Sequence, residues 1–284
     1  MNSNNVNQQL PKFLCIGAQK AATSWLWTIL RQHPDVWMPP LKEIHYFDHI
    51  FVPENRAWTH NHIKKGVSDS LRWHVAKGAV NLTYFKYLVD VATENPFAEE
   101  WYRYCYSPSN ASGKMLGDIT PEYSTIPEEG IQYVKNLLGC DLKLIYIIRN
   151  PVDRAISQLK MNLTRKGMER ENEETWIQAA KDPVIQQRGD YKTYVQQWEN
   201  IFPSEQILYL PYKQVKINAA GLIKSVESHL GISSFSNYVG LEKSIHKTKE
   251  AAVPPVVGDY FRTILAEQEN FIKTRFGEKF FSLT

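Results

Sequence analysis

Short apolar runs alternate with amphipathic stretches along most of the chain. Residues 12–17 hold the first run, Phe13-Leu-Cys-Ile-Gly17. It reads as a strand buried on both faces, because a parallel strand covered by helices has no polar side. Residues 142–148 (Leu-Lys-Leu-Ile-Tyr-Ile-Ile) form the clearest run of this kind. Residues 206–210 form another and Lys114 to Gly117 a shorter one. Between the runs, apolar residues recur at helical spacing. Leu26, Ile29 and Leu30 place a helix over 23–33, stopped at His33-Pro34-Asp35. Pro127 to Leu138 gives a helix stopped by Gly139. Asn150 as N-cap and Pro151 at the first helical position open a helix whose apolar face is Val152, Ile156, Leu159 and Leu163. Further helices are predicted over 173–181, 188–201, 219–230 and 256–276. Strand and helix in alternation predict an α/β fold, a central mostly parallel sheet flanked by helices in three layers. Ligands of such sheets bind at the carboxyl ends of the strands.

Residues 49–113 break the alternation. They are crowded with aromatic residues, among them Trp58, Trp73, Tyr84, Phe85, Tyr87, Trp101, Tyr102, Tyr104 and Tyr106. Short helices are expected near 82–93 and 97–105, and a loop at 107–113. The whole reads as a helical insertion within one domain spanning 1–284, with most of its rings packing against one another.

Composition narrows the choice little. A formal net charge of +3 suggests neither a nucleic-acid coat nor an acidic-membrane binder but allows a local anion site. Cys15, Cys105 and Cys140 are far apart and lack metal-ligand spacing, so neither a disulfide framework nor a zinc site is expected; Cys15 and Cys140 read as packing residues. The polar Met1–Gln9 segment lacks the pattern of a signal peptide, and no apolar run could span a bilayer, so a cytoplasmic location is expected.

Three stretches carry chemistry. The first is Gly17-Ala-Gln-Lys20-Ala21-Ala22-Thr23-Ser24-Trp25: a strand end, a tight turn and a helix N-terminus. Unpaired N–H groups and the positive dipole end meet there, beside the Lys20 charge and two hydroxyls, which is the make-up of a phosphate cradle. It is not the G-x-x-x-x-G-K-[ST] loop, and the strong strand 142–148 runs into Arg149 rather than an Asp that would hold Mg²⁺. The second is Arg149-Asn-Pro-Val-Asp153-Arg154-Ala-Ile-Ser157. Arg149 stands at the same sheet edge and Ser157 lies off the apolar helix face, a pair suited to a second phosphate, while Arg154 and Asp153 read as solvated residues of a helix start. The third is Lys42-Glu43-Ile-His45-Tyr-Phe-Asp48. In an extended segment Glu43 and His45 share one side and could serve as general base and partner. His60 and His62 offer imidazoles, but no carboxylate or Cys completes a metal site in the sequence.

In this order and spacing, together with Thr120-Pro121-Glu-Tyr123, Arg188-Gly-Asp-Tyr191 and Arg275-Phe-Gly277, the stretches resemble those of sulfotransferases that use 3′-phosphoadenosine 5′-phosphosulfate (PAPS). The likeness is to the heparan-sulfate-type group and its bacterial relatives. It covers most of the chain and is weakest over 49–113. The resemblance implies a P-loop-like fold and transfer of a sulfuryl group to a hydroxyl on a glycan, lipid or secondary metabolite, without a metal. It implies that Lys20 to Ser24, with Trp25, bind the 5′-phosphosulfate and that Arg149 and Ser157 hold the 3′-phosphate. Lys247, Thr248 and Lys249 would close that end; Glu43 would be the base, with His45 and Asp48 near the acceptor. Two positions depart from the family. Ala22 replaces a Gly, which the backbone accommodates if φ there is negative, and Ile119 replaces a Lys, which weighs against a highly sulfated acceptor. A small-molecule kinase or other P-loop NTPase, and a nucleotide-binding module without catalysis, stand as alternatives.

Overall fold

The computed structural model describes residues 9–242 and 252–284. The expected Lys247, Thr248 and Lys249 closure lies outside the described residues. In chain order the elements are β1 (Phe13–Gly17), α1 (Thr23–Leu30), β2 (Val36–Trp37), α2 (Tyr46–Phe51), α3 (Arg56–Ala76), α4 (Leu82–Thr93) and α5 (Glu99–Tyr104). There follow β3 (Met115–Ile119), α6 (Glu128–Leu138), β4 (Lys143–Ile148), α7 (Pro151–Lys166), α8 (Glu173–Ala180), α9 (Pro183–Gln187) and α10 (Tyr191–Ile201). The chain closes with β5 (Ile207–Pro211), α11 (Gln214–Ile217), α12 (Ala219–Leu230), α13 (Pro255–Ile264), α14 (Ala266–Phe276) and α15 (Glu278–Ser282).

Among the described residues the five strands form one sheet in the order β2-β3-β1-β4-β5, and every pairing is parallel. The apolar runs make this possible. Every residue of β1 is buried, as are Leu144 to Ile148 of β4, so both sheet faces take helices. Because β1 is central and the chain crosses it between β3 and β4, the carboxyl ends of β3, β1 and β4 open on one crevice. Asp118, Lys20 and Arg149 stand at or just beyond those three ends.

The departures from the sequence reading have physical causes. The 21-residue α3 has almost no apolar stripe, burying only Thr59, Ile63 and Val67, so its periodicity is faint. The 188–201 segment breaks at Gly189, and Asp190 then caps α10 by accepting from the Thr193 N–H. The helix expected over 256–276 is interrupted at Leu265. Arg154 is not solvated. It is fully buried, donating to Gln158 (2.6 Å) and to the Ile185 carbonyl, and it ties α7 to α9. Cys140 is exposed rather than packed, whereas Cys15 and Cys105 are buried. The rings of Tyr87, Trp101, Tyr102 and Tyr106 are buried, as expected for packing. No helix among the described residues is long and apolar enough to cross a membrane.

The sheet's tightest point is Gly117, paired with Phe13 across β3 and β1. A Cβ at 117 would fall within the Phe13 ring. Gly117→Ala should therefore lower stability by about 1–3 kcal/mol through overpacking, read as a shift in the urea midpoint. An unchanged midpoint would mean that Phe13 has another place to go.

Candidate functional site

The cradle forms where β1 turns into α1. Lys20 and Ala22 both adopt left-handed backbone (φ 70° and 64°), so the negative φ expected at Ala22 is not what the fold uses. An alanine holds a conformation that a glycine would take freely. Ala22 is the N-cap of α1 and supplies no capping side chain. The first-turn N–H groups therefore have no cap of their own and suit an anion. Thr23 is buried and Ser24 half-buried. Trp25 is turned inward: its indole N–H donates to the Leu241 carbonyl (2.8 Å), leaving only its backbone for the cradle.

Lys20 extends toward α7, its Nζ lying 3.7 Å from Met161 Sδ. Burial, with the nearby Arg149 and Arg165 charges, pushes its pKa down to about 8. Ser157, Met161 and Arg165 follow one another at four-residue steps and so share that face of α7. Arg149 donates to the Lys20 carbonyl (2.7 Å), and its guanidinium lies over the Tyr212 ring at 4.5 Å. Its buried Nε has no partner. The structure thus brings Lys20 and Arg149 together and puts Ser157 on the α7 face that Lys20 approaches.

The acid loop reaches the same edge by a different backbone from the one expected. Glu43 and His45 are not extended; both are left-handed (φ 66° and 55°). They nevertheless meet, with His45 Nε2 3.6 Å from Glu43 Oε2. His45 is fully buried, and its Nδ1 faces both Asp48 oxygens at 3.0 and 3.1 Å. Burial is the largest single influence and would lower its pKa, but the Asp48 and Glu122 carboxylates together prevail and raise it. Asn55 donates to Asp48 (2.8 Å) and fixes that carboxylate. The Lys42 ammonium is in hydrogen-bond contact with Glu43, and burial pushes its pKa down to about 8, against the pull of Glu122.

The β3 end explains why the loop keeps this shape. Asp118, fully buried, accepts from Thr120 (2.7 Å), Tyr123 (2.8 Å) and Tyr102 (3.1 Å). The same Thr120 and Tyr123 hydroxyls accept the Ile44 N–H (3.0 Å) and the Tyr46 N–H (3.1 Å), one on each side of His45. Ile119, the β3 residue between Asp118 and Thr120, is buried.

Several residues here carried no role in the sequence reading. Glu122 is buried in the tight turn Pro121–Thr125. It accepts from Gln19 (2.9 Å), stands 3.7 Å from Arg188, and leaves its second oxygen without a partner. Burial favours its neutral form, but the positive charges of His45, Arg188 and Lys42 prevail and lower its pKa. Glu122 and Arg188 lay in recognisable segments; Gln19 had no signal, because an amide next to Lys20 has no distinctive chemistry until its partner is known. His62 corrects the metal argument. Glu43, His45 and His62 each offer a ligand atom within 4.8 Å of the others, so a carboxylate does stand beside an imidazole pair; His60 instead faces His49 and Phe97. The cluster is already engaged without an ion, Glu43 by the Lys42 ammonium and His62 by the Lys42 carbonyl (3.0 Å).

Comparison with known proteins follows this geometry. The pattern of the sulfotransferase family matches residues 11–237. The chain is 24% identical to heparan sulfate glucosamine 3-O-sulfotransferase 3B1 of Mus musculus, the match covering 98% of this chain and 64% of that protein. It is also 24% identical to bifunctional heparan sulfate N-deacetylase/N-sulfotransferase 2 of Homo sapiens, over 81% of this chain but 23% of that one. The chain therefore spans less than two thirds of the length of these relatives. A sulfotransferase from Alicyclobacillus acidocaldarius shares the fold with a TM-score of 0.63 at 19% identity, covering 94% of this chain and 95% of its own. The sulfotransferase domain from the curacin biosynthetic pathway does so with a TM-score of 0.59 at 14% identity, covering 94% and 98%. With its family pattern running through the cradle, the acid loop and the Arg149 segment, the chain belongs to the sulfotransferase family of enzymes.

Proposed function

We propose that the chain moves the sulfuryl group of PAPS to an acceptor hydroxyl by in-line displacement, with Glu43 as general base. One observation carries this reading: a cationic cradle and a carboxylate–imidazole pair occupy one sheet edge, linked through Gln19 and Glu122. The residues fit a doubly anionic nucleotide. Lys20 and the uncapped start of α1 would hold the 5′-phosphosulfate; Arg149, with its unpartnered Nε, and Ser157 would hold the 3′-phosphate.

Positioning and charge stabilisation dominate such a transfer. The S–O bond to the nucleotide phosphate breaks while a bond to the acceptor oxygen forms. Lys20 neutralises the charge left on the phosphate. Glu43 takes the acceptor proton, and His45, held by Asp48, orients Glu43 from behind. The named relatives carry heparan sulfate in their names, yet Ile119 stands here where the heparan-type group has a lysine before the Thr-Pro pair. That difference favours an acceptor less charged than a sulfated glycan. Helices α3 to α5 would form its binding side. A screen of hydroxylated acceptors with isotopically labelled PAPS, read by mass spectrometry, tests the activity. Tight binding of ATP with Mg²⁺ and none of 3′-phosphoadenosine 5′-phosphate (PAP) would instead favour a kinase.

Lys20→Ala should lower turnover by ~10²–10³, the usual loss for a charge-stabilising donor. Glu43→Gln should lower it by ~10²–10⁴ while leaving PAP affinity nearly unchanged. Normal turnover in Glu43→Gln would transfer the base role to His45.

The Lys20 pKa gives a pH signature. Its folded value, about 8, lies below the ordinary 10.5, so above pH 8 the free ammonium loses its proton. A bound phosphate restores the charge, and PAP binding above that pH must take up a proton. Affinity should fall by up to about tenfold per unit as pH rises past 8. Calorimetry in buffers of different ionisation enthalpy measures the uptake. Lys20→Met should abolish it; undiminished uptake in that variant would assign the proton elsewhere, Lys42 being the next candidate.

A further inference from the structure

The turn between α3 and α4 is the most exposed apolar feature among the described residues. Val75 through Thr83 are exposed without a break, so the turn projects from the body. It carries Trp73 (57% exposed), Val75 (58%), Val80 (58%) and Leu82 (81%), with Val89 one helix face further on. These side chains are not exposed for want of structure. Gly78 is left-handed (φ 66°), and the Ala79 N–H reaches back to the His74 carbonyl (2.9 Å), which closes α3 firmly. Asn81 then caps α4 by accepting the Tyr84 N–H (3.0 Å). An ordered tip that displays Leu and Trp to water invites a partner.

Charge identifies the partner. From Ser70 to Val89 there is no Asp or Glu, while Arg72, Lys77 and Lys86 supply three cations. The flanking carboxylates, Asp69 and Asp90, are paired with Lys65 and Lys86. An indole, branched aliphatic side chains and the two cations left without an ion pair among the described residues, Arg72 and Lys77, on a convex tip match an interface of acyl chains below and anionic headgroups above. A second protein would need a groove to receive such a tip; a bilayer needs none. We propose that the α3–α4 tip docks this protein on anionic membrane surfaces, with Trp73, Val80 and Leu82 entering the headgroup boundary. This stands apart from the sulfotransfer reading, since docking requires neither donor nor acceptor.

Co-sedimentation of the full chain with vesicles tests it. Binding is expected to phosphatidylcholine vesicles containing phosphatidylserine, to weaken strongly for phosphatidylcholine alone, and to fall with added salt. Lys77→Glu should weaken it at least about fivefold, the worth of one surface cation, and Trp73→Ser with Leu82→Ser should abolish it. These positions are exposed, so circular dichroism and PAP affinity should match the parent and exclude misfolding as the cause. No binding to anionic vesicles, or equal binding by parent and double variant, overturns the proposal. So does a concentration-dependent dimer that the double variant loses, which would give the tip to a second copy.

Discussion

One buried carboxylate governs the acid loop. Asp118 accepts three hydroxyl hydrogen bonds at the end of β3, and two of those hydroxyls in turn accept the N–H groups on either side of His45. A hydroxyl that donates to a charge becomes a better acceptor, so the bonds in each chain reinforce one another. Glu43 and His45 sit in left-handed backbone that residues with a Cβ resist. The Asp118 network is what holds them there. Through it, the position of the Glu43 carboxylate is set by the sheet itself, a rigid element, rather than by the loop that bears it.

The cradle is built on the opposite plan. Its geometry comes from backbone, two left-handed residues and an uncapped helix start, and its charge from Lys20 with Arg149 braced against it. Burial, reinforced by the crowding of the cations, brings the Lys20 pKa down to about 8. A site that is electrostatically uncomfortable when empty is relieved by an anion.

The sheet was legible because β1 and β4 are apolar on both faces, and α7 because Asn150 and Pro151 announce it. The α3 helix was obscure because a helix that buries so little leaves no stripe to read. At the site, the residue types of the cradle and of the acid loop were visible, but their backbone was not. The alternation of Glu43 and His45 suggested a strand, whereas two left-handed residues bring the side chains together through a turn. Nothing in a linear sequence distinguishes these until Thr120 and Tyr123 are known to lie beside them. Arg154 was misread for a similar reason: a guanidinium at a helix start belongs in water unless a carbonyl such as that of Ile185 arrives from a distant segment.

Gln19 gives the two halves of the site a shared fate. Its backbone adjoins Lys20, and its amide donates to Glu122, which lies under the positive charges of His45, Arg188 and Lys42. On the proposed reading, any shift of the cradle on filling would be passed to a buried carboxylate that keeps one oxygen without a partner. Free-energy coupling of this kind is reciprocal. An acceptor that contacted Glu122 would strengthen or weaken donor binding by the same factor as the donor does for it. Synergy between the two substrates would then reside in a single uncharged side chain.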